Sequence, residues 1–290
     1  MSATQPSPET VPPPASAPAA SRAGRNLPAA IGVGLVLGAL IILTHFWHKE
    51  LFLVLATAAV SVGCWEIAQA LRRKGIRVPV FPVVLGCVVQ LAAAFFLGEQ
   101  ALIVAFALTC ALVLMWRGSE GVTGAAADVG AGVFVAAYPA LLAGFSMLLL
   151  AAPDGAWRSF TFLCVTAASD VGGYAVGVLA GRHPMAPRIS PKKTWEGFAG
   201  SLLGCIIVGI LCVTLGLHGP WWVGAVVGAL TAPAATLGDL FESAVKRDLG
   251  VKDMSNFLPG HGGLMDRLDS LVVSAPVIWA TLALLLPIAR

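Results

Sequence analysis

The chain has 290 residues, 58% of them hydrophobic and 11% charged, with a mean hydropathy of +0.86 and a formal net charge of +3. Soluble domains carry about a quarter charged residues, so this composition excludes an ordinary water-soluble core. Apolar runs of roughly 18 residues, each able to cross about 30 Å of hydrocarbon, recur along the chain. Lipid gives backbone groups no water to bond, so these runs must be helices, and the period-2 alternation of an outer-membrane barrel is absent.

In chain order, residues 1–25 are rich in Pro, Ala and Ser and are expected to form a disordered cytoplasmic tail. Residues 26–290 then form a single membrane domain. Apolar spans are predicted at 27–46, 51–71, 78–97, 101–116, 130–151, 158–180, 198–217, 220–238 and 270–288. The fold expected is an all-α polytopic membrane protein of about nine transmembrane helices, with a cytoplasmic N-terminus and an outside C-terminus. The first span follows a long tail and lacks a cleavage site, so it reads as an anchor. The cations test the count. With the N-terminus inside, fifteen of the eighteen Lys and Arg residues face the cytoplasm, and only Lys49, Arg158 and Arg290 fall outside. The net charge is thus a topology signal and gives little reason to expect a nucleic-acid partner.

Turns in the first half are short and plain. The basic turn from Arg72 to Arg77 reads as a topology determinant. Six cysteines fall within spans without a Cys-x-x-Cys pair and read as small packing residues. Glu66, in the second span, either pairs with a basic residue near the interface or serves the site. Asp170, in Ser169-Asp-Val-Gly-Gly-Tyr174, falls about ten residues from the cytoplasmic end of its span; ionisable groups at such depth are expensive and functional by default.

Chemistry concentrates in the C-terminal half, with a functional core over 157–288. The loop 181–197 carries Arg182, Arg188, Lys192 and Lys193 as cations, Ser190 and Thr194 as hydroxyls, and three stiffening prolines. Lysines of this kind are point-charge phosphate ligands, and Trp195 is placed to anchor at the interface or stack on a base. Asp239, Glu242, Ser243 and Lys246 follow the spacing i, i+3, i+4, i+7, so a helix continuing from the eighth span puts them on one face. Carboxylate plus hydroxyl suits Mg²⁺, although a solvated juxtamembrane helix gives the same spacing. Further on, Arg247, Lys252, Asp253, His261, Asp266, Arg267 and Asp269 surround a His261-Gly262-Gly263 turn, whose bare backbone can form a phosphate-binding nest. No Walker A loop, His-Glu-x-x-His or Gly-x-Ser-x-Gly is present in the sequence.

The run Ser243-x-Val-Lys-Arg-x₄-Lys-Asp-x-Ser-x₂-Leu-Pro-Gly-His-Gly-Gly-Leu-x-Asp-Arg-Leu-Asp269 resembles the signature of the phosphatidate cytidylyltransferases (CDP-diacylglycerol synthases). Ser169-Asp170 and Ser190-Pro-Lys-Lys-Thr-Trp-Glu-Gly197 are similar to further family motifs, in the family's order. The resemblance implies transfer of CMP from CTP to phosphatidic acid within the bilayer, giving CDP-diacylglycerol and pyrophosphate in phospholipid biosynthesis. It implies a homodimer in the plasma or inner membrane, with the site on the cytoplasmic face. It also implies Mg²⁺ at Asp239 and Asp266, with K⁺ beside it at a mixed-metal centre. Asp239, Asp266 and Lys246 are then the catalytic candidates. Asp170, Ser190, Lys192, Lys193, Thr194, Ser243, Arg247, Lys252, Asp253, His261, Gly262, Gly263, Arg267 and Asp269 are the candidates for substrate binding. Two positions depart from the family pattern: Val171 stands where Thr is frequent, and Gly173 where Ala is. Two other readings compete. A polyprenol or phytol kinase shares the architecture class without the long signature, and an ion-coupled transporter explains the buried acids but not the Lys/Arg/Gly cluster.

Overall fold

The computed structural model describes residues 44–46, 48–255 and 262–288. Eight helices among them are long and apolar enough to cross a membrane: α1 (Lys49–Arg72), α2 (Val80–Leu97), α3 (Glu99–Ser119), α4 (Ala125–Ala151), α5 (Gly155–Ala180), α6 (Trp195–Gly216), α7 (Trp221–Leu249) and α8 (Met265–Leu285). They match the second to ninth predicted spans. Most of the first span, the N-terminal tail, His261 and Arg290 lie outside the described residues; residues 44–46 are helical.

Helix ends differ from the hydropathy windows where charge intervenes. α7 runs to Leu249, well past 238, as the Asp239–Lys246 spacing predicts. α8 begins at Met265 although its first two turns carry Asp266, Arg267 and Asp269, which kept them out of the apolar window. Local chemistry sets the remaining boundaries. α4 contains a π-helical turn over Ala136–Leu141, where Pro139 has no N–H to give to the helical ladder. Gly250, at φ +70°, closes α7: its N–H reaches the Arg247 carbonyl (3.1 Å), and Val251 N–H reaches that of Lys246 (2.9 Å). This is a Schellman closure, and it fixes the last turn of the helix that carries the charged face.

Between α5 and α6 the predicted loop is partly ordered into a hairpin, β1 (Pro184–Ala186) antiparallel to β2 (Ser190–Thr194), with Pro184 opposite Thr194 and Ala186 opposite Ser190. β2 feeds directly into α6, whose N-terminus is capped by the Thr194 hydroxyl accepting from Gly197 N–H (3.1 Å).

Two apolar cores hold the bundle. Ile67, Cys87, Leu91, Val135 and Met147 unite α1, α2 and α4, while Val165, Cys205, Val227 and Ile278 unite α5 to α8. α8 belongs to both: Met265 and Val272 enter the first, Ala275 and Leu282 the second. Helices α5 and α6 touch backbone to backbone, since a Cβ on Gly200 would lie 2.5 Å from the Gly172 carbonyl oxygen. Small residues at such a crossing are how membrane helices replace the missing hydrophobic drive with close packing. The six cysteines are all free, and Cys64, Cys87 and Cys205 are buried.

The charged residues sort to the two ends of the bundle. At one end Lys49 Nζ donates to the Ala152 carbonyl (2.7 Å), and an Arg158 guanidinium nitrogen to that of Leu286 (2.7 Å). At the other lie the α1–α2 turn, the C-terminus of α3, the hairpin and the N-terminus of α8. Contacts such as Arg77 N–H to Asp128 (2.6 Å) and Met265 N–H to Glu66 (2.7 Å) bind that second end together.

Candidate active site

The second end holds a cleft of ≈ 440 Å³ bounded by α5, the hairpin, α6, α7 and α8. Its size falls in the ~300–1,000 Å³ range of small-molecule sites. Asp170, Lys192, Lys193, Thr194, Asp239, Lys246, Asp266, Arg267 and Asp269 line it, so nine of the sequence candidates converge on one space. A larger cavity of ≈ 940 Å³, between the α1–α2 turn and the end of α3, contains none of them. The candidate residues, and not cavity size, identify the site.

Four of the charged groups in the cleft are paired across elements. Lys193, on β2, pairs with Asp239 on α7 at 2.5 Å. Lys246, two turns further along α7, donates to Glu242 (2.9 Å) and to Asp266 on α8 (2.7 Å). The helical face expected from spacing is real: Ser243 Oγ donates to Asp239 (3.3 Å) one turn away. Asp170, on α5, stands within electrostatic reach of Asp239, Lys193 and Arg267. Four carboxylates and four cations thus face one another across the cleft. A triphosphate entering it can exchange carboxylate partners for phosphate oxygens without leaving any lysine unpaired.

The Gly-Gly turn is used differently from the open nest expected. Gly262 does adopt the left-handed conformation (φ +82°), but Gly263 N–H donates to Asp266 (2.8 Å), which also accepts from Met254 N–H (3.1 Å). Here the turn orients a carboxylate. His261 lies outside the described residues. Thr194 spends its oxygen on the α6 cap. Outside the cleft lining, Arg247 Nε reaches the Ile189 carbonyl (3.4 Å) and so braces the hairpin, with Ser190 next in the chain. Lys252 is exposed on the loop after α7, and Asp253 lies beside Gly262. Trp195 is exposed as the first residue of α6 and packs edge-on against Phe198.

Of the two departures, Val171 is exposed and turned away from the cleft lining. At Gly173 the space that a methyl group would take is held by Ser201 Oγ, 2.5 Å from an added Cβ.

Three carboxylates were missed or underrated in the sequence. Glu196 accepts from the backbone of Arg182 and His183 and from the His183 ring, fastening the entry of the hairpin to α6. Glu242, fully buried, sits between Lys246 and Asp269, and one of its oxygens has no hydrogen-bond partner among the described residues. Glu66 pairs with no cation among the described residues, contrary to one of the two expectations for it. It accepts from Ser255 Oγ (2.5 Å), Leu264 N–H (2.9 Å) and Met265 N–H (2.7 Å). The i, i+4 spacing of Glu242 and Lys246 was a usable signal. Glu66 stood out only as a carboxylate within an apolar span, and its partners, nearly two hundred residues away, had no signal.

Among the described residues, no three His, Cys, Asp or Glu side chains are grouped to hold a metal by themselves. The donor set still suits Mg²⁺, which takes few protein oxygens and completes its shell with water and substrate phosphate. A carboxylate offers about four acceptor positions; Asp239 uses two of them and Asp266 three.

The helical fold and the charged cleft at one membrane face define a polytopic membrane protein built to handle phosphates. The chain belongs to the cytidylyltransferase family, whose model matches residues 28–285. It is 42% identical over 280 residues to a phosphatidate cytidylyltransferase of Mycobacterium leprae, covering 91% of this chain and 90% of that protein. A phosphatidate cytidylyltransferase of Mycobacterium bovis is 41% identical over 278 residues, covering 91% of each. One from Synechocystis is 45% identical over a shorter stretch of 129 residues.

Proposed function

We infer that this chain is a phosphatidate cytidylyltransferase: it moves CMP from CTP to phosphatidic acid, releasing pyrophosphate and CDP-diacylglycerol for phospholipid synthesis. The observation that carries the reading is the pairing of Lys193 with Asp239 and of Lys246 with Asp266 across one cleft at the membrane face, within a chain of this family. The ion-coupled transporter reading leaves this ring of lysines and carboxylates at one end of the bundle unexplained.

The reaction needs no protein nucleophile. An oxygen of the phosphatidate phosphate forms a bond to the α-phosphorus of CTP, and the bond from that phosphorus to the β-phosphate oxygen breaks. The electron pair leaves on pyrophosphate. The obstacle is repulsion between two polyanions, so the work of the site is neutralisation and alignment. Lys192, Lys193, Lys246 and Arg267 supply positive charge from three elements, so phosphate is gripped from several sides. Arg247 and Ser243 support that grip from behind, bracing the hairpin and Asp239. Asp170 faces the cleft from within the bilayer span, where the lipid headgroup approaches sideways between helices while CTP comes from the aqueous side. Asp239 and Asp266 are the residues to hold Mg²⁺, which when bound supplies Lewis acidity and a template for the phosphates. K⁺ beside it, a homodimeric assembly and the cytoplasmic orientation of the cleft are carried on the family resemblance and, for orientation, on the segregation of cations to this end.

The test is pyrophosphate release by purified protein in mixed micelles with CTP, phosphatidic acid and Mg²⁺, each omitted in turn. Release that requires all three, with CDP-diacylglycerol as co-product, is the expected result. Turnover with a polyprenol or phytol in place of phosphatidic acid, or no turnover by folded protein, overturns it.

A further inference from the structure

Glu66 lies on α1, outside the cleft, at 0% exposure. No polar group on its own helix explains it. Its carboxylate faces the start of α8, where Leu264 and Met265 offer N–H groups that the first turn of a helix leaves without intrahelical partners. Both go to Glu66, one to each oxygen, and Ser255 Oγ adds a third donor from the far side of the loop. A buried carboxylate pays heavily for its desolvation, and three donors plus a helix N-terminus are the kind of surroundings that compensate it.

The next residue in the chain is Asp266. Its carboxylate closes the same loop from inside, accepting from Met254 and Gly263 N–H groups and from Lys246. Two carboxylates, one from each side, therefore clamp the segment that enters α8. Contact between helices tightens the fit: a Cβ on Gly63, one turn before Glu66, would meet Met265 Sδ at 3.2 Å. α1 cannot move by much without moving Met265, and Met265 carries Asp266.

We propose that Glu66 is a positioning residue for the transfer reaction: by holding Leu264, Met265 and Ser255 it sets the pose of Asp266, and through it that of Lys246, in the cleft. This rests on the cytidylyltransferase reading for its kinetic consequence, but its structural content stands apart from that reading. It also gives the N-terminal helices a part in chemistry whose motif residues all lie in the other half.

The experiment uses the full-length protein in detergent and compares wild type, Glu66→Gln, Ser255→Ala, their double variant, and Glu120→Gln as a control. Glu120 is an exposed carboxylate at the same end of the bundle. Residue-resolved hydrogen exchange should show the Leu264 and Met265 amides losing at least about tenfold protection in Glu66→Gln, with the other helices unchanged. Kinetically, kcat should fall about 10- to 100-fold while KM for phosphatidic acid stays within about twofold, the split expected when alignment and not binding is lost. Ser255→Ala should reproduce both effects at a few-fold scale and add nothing to Glu66→Gln, because both act through one clamp. Wild-type protection or wild-type kcat in folded Glu66→Gln overturns the proposal, and so does additive loss in the double variant. If Glu66→Gln does not fold, Ser255→Ala decides alone, and unchanged protection and kcat there overturn it. Absence of turnover in the wild type instead overturns the cytidylyltransferase reading and leaves the exchange data to judge Glu66.

Discussion

The two halves of the bundle contain the same chemical object, a Lys or Arg paired with an Asp, put to opposite uses. In the N-terminal half, Arg117 and Asp128 have side chains only 6% exposed. Arg117 also donates to the Gly121 and Thr123 carbonyls at 2.6 Å, and Asp128 accepts from Arg77 N–H. That pair is closed: each guanidinium nitrogen of Arg117 has an acceptor, in Asp128 or in the turn between α3 and α4, and the α1–α2 turn supplies Asp128 with a further donor. In the C-terminal half, Lys193 and Asp239 are 25% and 32% exposed and face a cleft. That pair can trade partners with something that enters. A charged pair therefore signals function in this bundle through what remains open around it, and its mere presence in a membrane span does not.

The largest expected effect separates the two uses directly. Asp266→Asn removes a carboxylate charge from the cleft and weakens the hold on Lys246, while the Asn side chain keeps the shape. Turnover should drop by about 10²- to 10³-fold, the scale of losing a preorganised electrostatic group, while the amide NH2, set against either Lys246 or the Met254 and Gly263 N–H groups, should cost about 1–3 kcal/mol of stability in a protein that still folds. Near-wild-type turnover would remove Asp266 from the metal and catalytic assignments. Arg117→Ala should do the reverse. Leaving Asp128 buried without its partner should cost about 3–5 kcal/mol of stability, read as a lowered midpoint of thermal unfolding, with kcat per folded molecule preserved. Loss of activity in fully folded Arg117→Ala would erase the distinction between the halves.

A smaller effect sharpens the open pair. Lys193→Met should raise KM for CTP and lower kcat/KM by about 10²-fold, since a point charge on phosphate is lost from a partly solvated site. Combined with Asp239→Asn, the losses should fall well short of additive, because the two residues share one interaction. Independent, additive losses would mean that the pair seen between β2 and α7 is not the unit that meets substrate.

How much of this was legible in sequence follows from the range of each interaction. Spans two to nine are a local property of hydropathy, and their helices appear within a few residues of the windows except where Asp239–Leu249 and Met265–Asp269 extend them with charge. The Asp239–Lys246 face is also local, fixed by helical spacing. The hairpin was hidden because Pro184, Pro187 and Pro191 mark a stiff loop and give no sign that Pro184 lies opposite Thr194 and Ala186 opposite Ser190. The inward use of the Gly-Gly turn was hidden because a free N–H and one bonded to Asp266 look alike in sequence. Glu66 was least legible, since a carboxylate in an apolar helix states its cost and not its partner.

The smallest expected effect concerns Gly173, where the sequence departs from the family pattern. Gly173 lies on α5 at its contact with α6, and an added Cβ would come within 2.5 Å of Ser201 Oγ. The obstruction is a side chain, in contrast to the Gly172–Gly200 contact, where the neighbour is a carbonyl that cannot step aside. Ser201 Oγ donates to the Ser169 carbonyl (2.7 Å), so rotating it away forfeits that hydrogen bond. Gly173→Ala should therefore cost about 1–2 kcal/mol, the sum of mild overpacking and one lost bond. Ser201→Gly should remove most of that cost in the double variant, while it should give no relief to Gly172→Ala. Equal rescue of both would mean that the helices adjust as rigid bodies, and the close crossing would then not fix the distance between Asp170 and the lysines of the hairpin.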